Sequence, residues 1–361
     1  GLTAGALSAS AVVQGVCSPL AGLLVDRLGP RPVALGGALV LGAASLLAAT
    51  VTAPWQLYLY TGALGAVGLV GLGWVPMGVL LSRWFSERRG RAVGVAFSGM
   101  GVGILVIGPL AQWLITTVGW RQASATLGLG TLALLLPLLW LFVRDPPARP
   151  PGEAPGAGPG RSPAPPADPT LRHALATPAF WALFLAYFFT PLAVFPVATH
   201  QVAFAVDLGY APLLAAAAFG TAGFMSTVGR VCFGLAADRF GGPLAATISF
   251  GCTAGGVLAL LVLERVPWEG WLVIYALLFG LGFGARGPII TAMASERFGG
   301  RRFGVIYGVL NCGNGFGGAV GPWLGGVVHD VTGTYRAAFL ASIVFCALGS
   351  ACFWLTRRRA P

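Results

Sequence analysis

Apolar residues occupy long, almost uninterrupted stretches of the chain, and short polar or glycine-rich turns separate these stretches. A membrane-spanning helix needs about 20 mostly apolar residues, and eleven stretches approach or exceed that length. The pattern therefore predicts an all-α membrane protein with five helices before a polar interruption and six after it. The predicted helices cover residues 3–25, 33–53, 56–81, 91–117, 121–143, 179–206, 211–236, 243–263, 270–294, 303–328 and 336–356.

The two groups of helices repeat one another. "GLLVDRLGPRP" from Gly22 matches "GLAADRFGGP" from Gly234 at an offset of 212, and "GPLAQWL" from Gly108 matches "GPWLGGV" from Gly321 at an offset of 213. A nearly constant offset over separate helices indicates two copies of one structural unit. The helix at 179–206 precedes the second copy and has no counterpart before the first. We therefore expect two six-helix bundles, with the first helix missing from this chain.

The polar interruption has the composition of a linker. Ten prolines and four glycines lie between Arg144 and Thr170. Such a segment buries too little apolar surface to fold, which indicates a flexible connection. The predicted organisation is an N-terminal bundle over 1–143 (equivalent to helices 2–6), a linker over 144–178, and a C-terminal bundle over 179–361 (equivalent to helices 7–12).

Composition supports the membrane assignment and gives no sign of catalytic chemistry. Only 9% of the residues are charged and 56% are hydrophobic, whereas a soluble domain carries about 25% charged residues. The six cysteines lie singly, without metal-ligand or disulfide spacing. Nucleotide-binding motifs, carboxylate pairs within the membrane and nucleophile–base spacings are also missing from the sequence. We therefore expect no enzyme activity, no metal, no cofactor and no nucleic-acid partner.

Arginine is distributed unevenly between alternate loops. The loops of one side, with the linker and the C-terminal residues, hold 17 of the 22 basic residues and seven of the 11 acidic ones. The opposite loops hold three arginines and four acidic residues. Positively charged loops face the cytoplasm in multi-pass proteins. We therefore expect a protein of the cell (inner or plasma) membrane, with a cytoplasmic linker and C-terminus.

Two arginines, Arg230 and Arg286, fall inside predicted helices, while every Asp and Glu lies outside them. At 1.5 Å rise per residue, both arginines lie roughly 12–15 Å from the cytoplasmic turns. Ionisable residues at such depth usually mark a transport pathway, and a guanidinium binds a carboxylate bidentately. We therefore predict that both bind an anionic substrate. Further candidate substrate ligands at similar depth are Gln14, Asn311 and Asn314.

A structural interpretation of both arginines stays open, because each could bond backbone carbonyls freed at glycine-rich kinks such as 280–284. An acid on the missing first helix could also pair with either of them. On the helix at 179–206, Tyr187 is a candidate substrate ligand or a packing residue. His200, towards the outer end, is a candidate for proton coupling, because histidine changes charge close to neutral pH; an interfacial histidine without that role is the alternative.

The stretch "GLLVDRLGPRP" resembles the cytoplasmic signature between the second and third helices of the major facilitator superfamily. The resemblance implies that this loop belongs to a charge network that holds the cytoplasmic gate closed. The second copy has Gly242 and Pro243 where bases could stand, so we expect a weaker network there. The residues that match the signature are Gly22, Asp26, Arg27, Gly29 and Arg31 in the first copy, and Asp238 and Arg239 in the second.

A second stretch, "WFSERRGRAVGVAFSGMGVG" from Trp84, resembles the fourth-to-fifth-helix signature of monocarboxylate transporters and their oxalate/formate antiporter relatives. The resemblance implies the major facilitator fold of two pseudo-symmetric bundles. It also places Arg230 where that family has a substrate-binding arginine in the eighth helix. Ser226 stands where an acid is often found one turn earlier, which departs from the pattern for carboxylate-assisted proton coupling.

These observations together predict a secondary active transporter of small organic anions, monocarboxylates above all, that works by alternating access. Proton symport and anion exchange both stay open. We expect it to function as a monomer in the lipid bilayer. Two alternatives remain: a major facilitator exporter of drugs or other hydrophobic compounds, and a membrane sensor that transports nothing.

Overall fold

The computed structural model describes residues 2–85, 88–145 and 169–356, and every regular element within those ranges is helical. Most of the predicted linker (146–168), Glu87 and the C-terminal arginines at 357–359 lie outside the described residues. The elements are α1 (Leu2–Leu28), α2 (Pro30–Ala48), α3 (Pro54–Leu57), a π-helical segment (Tyr58–Leu64), α4 (Gly65–Leu72), α5 (Trp74–Trp84), α6 (Arg89–Phe142), α7 (Leu171–Leu175), α8 (Pro178–Asp207), α9 (Pro212–Phe240), α10 (Gly242–Leu263), α11 (Gly270–Phe283), α12 (Arg286–Phe298), α13 (Phe303–Thr332) and α14 (Arg336–Leu355).

By length and composition, nine helical stretches of the described residues could cross a membrane. One of them is the 54-residue α6, which the non-helical Gly119 (φ 82°, ψ 159°) divides into two. The glycine-rich α13 has 30 residues and is also long enough to span a bilayer. The eleven predicted helices are therefore all present as helical segments, and the predicted turn near 118–120 is confirmed.

Two predicted helices are interrupted where the hydropathy pattern is continuous. The helix predicted at 56–81 contains the π-helical segment and a break at Gly73 (ψ −149°). The helix predicted at 270–294 ends at Phe283 and resumes at Arg286. Proline explains both breaks in part, because Pro76 and Pro288 lack the N–H that would bond the carbonyl four residues earlier. Apolar content alone does not reveal such interruptions.

One compact unit comprises Gly1–Arg89, Pro109–Phe180 and Ala294–Gly315. Within it, α1 and the first half of α13 approach backbone to backbone, since a Cβ on Gly15 would lie 3.3 Å from the Gly315 Cα. Glycine permits such close helix packing in membrane proteins. This unit therefore holds the first copy of the repeated "DR" motif next to the beginning of α13.

The other compact unit comprises Gly90–Gly108, Trp181–Met293 and Phe316–Pro361. Its core is aromatic and aliphatic, with Phe204, Tyr275, Phe279 and Phe339 buried among small residues. Here α9 and α11 are in close contact, because a Cβ on Gly280 would lie 2.6 Å from the Ala222 carbonyl oxygen. This contact brings the middle of α9 next to the α11–α12 interruption.

Candidate functional site

Arg230 is a buried cation with few partners. Its side chain lies on α9 and the residue is 5% exposed. Nη1 donates to the Ser226 hydroxyl at 3.4 Å, and Nε has no hydrogen-bond partner among the described residues. Within those residues, no acidic side chain lies within 4 Å of the guanidinium. A guanidinium carries five N–H donors, so Arg230 retains most of its capacity to bind an anion.

Two glycines border the Arg230 guanidinium. A Cβ on Gly284, in the α11–α12 interruption, would lie 2.6 Å from Nε and 2.7 Å from Cζ. A Cβ on Gly101 of α6 would lie 3.3 Å from Nη1 and would overlap the Thr227 hydroxyl. The guanidinium therefore occupies space that any other residue at these two positions would narrow.

Arg286 is completely buried, and its Nη2 has protein partners while Nε and Nη1 have no hydrogen-bond partner among the described residues. Nη2 donates to the Thr253 hydroxyl at 3.0 Å and to the Gly282 carbonyl oxygen at 2.8 Å. The guanidinium carbon lies 4.3 Å from the centre of the Phe250 ring, in cation–π geometry. These contacts agree with the structural interpretation of Arg286, while its predicted role as a substrate ligand stays a prediction.

Two of the candidate polar residues of α1 and α13, Gln14 and Asn311, hydrogen-bond to serines of α1. Asn311 Nδ2 donates to the Ser18 hydroxyl at 2.9 Å, and Ser18 Oγ donates to the Gln14 carbonyl oxygen at 2.6 Å. Gln14 Nε2 in turn bonds the Ser10 hydroxyl at 3.2 Å. Asn314 is half-buried one turn further along α13. Asn311 thus bonds Ser18, which the sequence did not single out, and Ser18 bonds only the backbone of Gln14, whose side chain bonds Ser10.

The candidate proton-coupling residue lies in an aromatic stack. The His200 ring stacks on Tyr335 with centroids 5.0 Å apart, and Tyr335 stacks on His329 at 4.2 Å. His200 Nε2 also lies 3.3 Å from the Pro322 carbonyl oxygen. Burial, followed by the charges of Asp207 and Asp330, raises the pKa of the Tyr335 phenol. Tyr187, on the same helix as His200, is buried.

The first copy of the "DR" motif binds a helix N-terminus. Asp26 accepts hydrogen bonds from the backbone N–H groups of Gly304 and Val305, both at 2.8 Å. Arg83 lies 3.6 Å from the same carboxylate. A Cβ on Gly22 would overlap the Gly304 carbonyl, so glycine is required at the closest approach of α1 and α13.

The other basic positions of the motif have different partners. The backbone N–H of Arg31 donates to Asp145 Oδ1 at 3.1 Å, and its Nη2 donates to the Trp140 carbonyl oxygen at 2.5 Å. Gly29 has φ 92°, which favours glycine between α1 and α2. Arg27 is in the last turn of α1, where the helix dipole stabilises a cation.

The second copy of the motif makes the same kind of contact in its own unit. Asp238 accepts hydrogen bonds from the backbone N–H groups of Gly90 at 2.7 Å and Arg91 at 2.8 Å. The neighbouring Arg239 packs on the Phe240 ring at 5.4 Å. The sequence identified both acids but not their partners, the first turns of α13 and α6. The signal for these partners is the glycine near the start of each helix, which leaves room for the carboxylate.

The described residues (2–85, 88–145 and 169–356) contain no group of three or more His, Cys, Asp or Glu side chains that could hold a metal ion. The six cysteines are unpaired thiols in these ranges. The chemistry that the described residues offer is therefore that of buried cations and hydrogen-bond donors.

Comparison with known proteins identifies the family. A sequence profile of the Major Facilitator Superfamily matches residues 1–285 and 234–361. Monocarboxylate transporter 13 of Rattus norvegicus is 32% identical over 339 residues, which are 94% of this chain and 76% of the relative. Monocarboxylate transporter 11 of Homo sapiens is 32% identical over 368 residues, covering 91% of this chain and 69% of the relative.

Solved structures show the same fold. The proton:xylose symporter XylE, bound to 6-bromo-6-deoxy-D-glucose, matches with a TM-score of 0.76 at 14% identity, over 100% of this chain and 86% of its own. The human organic anion transporter MFSD10 matches with a TM-score of 0.69 at 18% identity, over 98% of this chain and 83% of its own. The chain therefore belongs to the Major Facilitator Superfamily, in its monocarboxylate transporter branch. It is a multi-pass membrane transporter for a small molecule and not an enzyme.

Proposed function

We propose that the chain transports small organic anions, with monocarboxylates as the substrate class and Arg230 as the principal anion ligand. The observation that supports this most strongly is the Arg230 guanidinium, which is buried, free of acidic partners among the described residues and bonded only weakly to Ser226. A carboxylate would replace the missing acceptors in a bidentate pair. The names of the relatives, monocarboxylate transporters 11 and 13, support the same substrate class.

The positive charge of Arg230 favours anion exchange over net transport of the anion. Moving an unpaired guanidinium through the apolar part of a carrier is costly, so the loaded carrier should reorient faster than the empty one. Anion exchange would then be faster than net transport. Proton symport requires a titratable group near the path, and His200 is the candidate on α8.

The proposed mechanism includes alternating access of two bundles, 1–143 and 179–361, joined by the linker at 144–178. We place the linker and the C-terminus in the cytoplasm of a cell-membrane protein, on the arginine asymmetry of the loops. The Asp26 and Asp238 contacts would then lie on the cytoplasmic side. The proposed functional unit is a monomer.

The test is exchange of labelled lactate or formate by the purified chain in liposomes. Unlabelled lactate inside should accelerate uptake of the label, and Arg230→Ala should abolish or strongly reduce that counterflow. Arg265→Ala, in the loop between α10 and α11, is the matched control and should behave as the unmodified protein. Counterflow that is unchanged in Arg230→Ala would contradict the anion site. Export of hydrophobic dyes that needs no Arg230 would favour the drug-export alternative, and no counterflow of any solute would favour the sensor.

A further inference from the structure

The interruption between α11 and α12 connects the two buried arginines of this unit. Gly284 and Ala285 separate the helices, and Arg286 is the first residue of α12. The Gly284 backbone has ordinary dihedral angles (φ −99°, ψ −4°), so glycine is not required there for its conformation. The reason for glycine at this position must lie in what it contacts.

That contact is the Arg230 guanidinium. A side chain at 284 would lie within 2.6–2.9 Å of the Arg230 Nε, Cζ and Nη2 atoms. The position of the interruption therefore determines where the guanidinium can lie. A shift of the interruption by about 1 Å would displace the guanidinium from a bidentate anion geometry, and such displacements are costly for a binding site.

Arg286 fixes the interruption from its other side. Its Nη2 bonds the Gly282 carbonyl, and the Ser249 hydroxyl of α10 donates to that same oxygen at 3.2 Å. Nη2 also bonds Thr253 of α10, while the Phe250 ring lies against the guanidinium. Since one buried side chain thus bonds the end of α11 and Thr253 of α10, and packs on the Phe250 ring, it holds the interruption to a neighbouring helix.

The repeat shows that the interruption does not itself require an arginine. "GLGWVPMGVLLSRWFSER" from Gly71 aligns without a gap with "GLGFGARGPIITAMASER" from Gly280. Met77 stands at the position of Arg286, and the first copy is also interrupted, at Gly73, which aligns with Gly282; Val75 stands at the position of Gly284. An arginine in the second copy alone therefore calls for a role specific to that copy.

We infer that Arg286 is a positioning residue for Arg230, acting through the α11–α12 interruption, and that Gly284 is the contact through which it acts. This inference rests on the proposed role of Arg230 as the anion ligand. Arg286 itself does not touch the anion.

The test compares variants of the full chain for lactate, by exchange in liposomes and by the lactate-induced rise of Tm in detergent. Arg286→Met places the residue of the first repeat at this position, and Gly284→Ala inserts one methyl group beside Arg230. Each should raise the KM for lactate about tenfold or more with a much smaller change in the maximal rate. Arg286→Lys, which keeps one donor for the Gly282 carbonyl, should recover part of the affinity. Gly220→Ala, whose Cβ would meet nothing within 4 Å, is the matched glycine control.

The Arg230→Lys background separates positioning from direct binding. Lysine is shorter than arginine and has no planar guanidinium to pack against Gly284. In the Arg230→Lys background, Gly284→Ala and Arg286→Met should therefore reduce the affinity for lactate little further. Arg286→Met that costs as much in that background as in the unmodified chain would show a direct ligand and overturn the inference. Gly284→Ala with the KM of Gly220→Ala would also overturn it, and this variant decides the matter if Arg286→Met does not fold. If Arg230→Ala leaves KM and the Tm shift unchanged, the anion site itself is wrong.

Discussion

Asp26 binds the N-terminus of α13 at Gly304, through a carboxylate that accepts two backbone N–H bonds of 2.8 Å from Gly304 and Val305. The first N–H groups of a helix lack partners within the helix, and an anion there is favoured by the helix dipole. Asp238 binds the start of α6 in the same way. The acid of each "DR" motif thus caps the N-terminus of another helix. Arg83, which lies beside Asp26, adds a charged contact to the first cap.

Asp26→Asn should weaken the attachment of α1 to α13. An amide keeps the shape but presents only one acceptor oxygen and no charge, and a hydrogen bond to a charged group contributes about 1.5–3 kcal/mol. We expect a loss of stability of that order, measured as a lower Tm of the purified protein. Asp330→Asn, an exposed acid on α13, is the control. Equal Tm values for the two variants would contradict the capping role.

Asp238→Asn should have a similar effect on the attachment of α9 to α6. The two bonds to Gly90 and Arg91 are as short as those of Asp26, and both end at a helix N-terminus. We expect a lower Tm of the purified protein. A Tm equal to that of the unmodified protein would argue that the contact adds nothing to stability. The second copy of the motif has Gly242 and Pro243 where bases could stand. Lowering the salt concentration, which strengthens interactions between charges, should therefore not restore the stability lost in Asp238→Asn.

Gly22→Ala should destabilise the protein through steric overlap. The added methyl group would collide with the Gly304 carbonyl, and overpacking of this kind costs about 1–3 kcal/mol. Gly36→Ala on α2 is the matched control, because a Cβ there meets nothing within 4 Å. A Tm of Gly22→Ala equal to that of Gly36→Ala would show that the helices separate without cost.

His200→Phe should separate packing from proton coupling. Phenylalanine can keep the stack on Tyr335 but cannot bind a proton. If His200 couples proton and anion movement, lactate uptake driven by a pH gradient should fall while lactate exchange at equal pH continues. His173→Phe on α7, an exposed position, is the control. Gradient-driven uptake that persists in His200→Phe would remove His200 from the proton path.

The sequence predicted the helices well because their signal is local. Apolar stretches determine which residues enter the membrane, and the non-helical Gly119 coincides with a turn that the pattern already showed. The interruption at Gly73 was not foreseen, since hydropathy measures side chains and this break lies in the backbone, whereas the glycine-rich stretch at 280–284 had suggested a kink. Proline at 76 and 288 was the available signal.

The site could be predicted only in part. Burial of Arg230 and Arg286 follows from their place in apolar helices, and both were identified from the sequence. Their different surroundings were not, because Thr253 and Phe250 come from another helix and Gly284 acts by having no side chain. Such relationships depend on helix packing, which a pattern along one chain does not encode.

The fourth helix of the repeat is interrupted in both copies, but not at the same aligned residue. The first copy breaks at Gly73, which aligns with Gly282, and the second breaks two residues later, at Gly284 and Ala285. Met77 and Arg286 stand at one aligned position beyond these breaks. The two halves of this carrier therefore differ here both in the position of the break and in charge, so the local symmetry between them is incomplete.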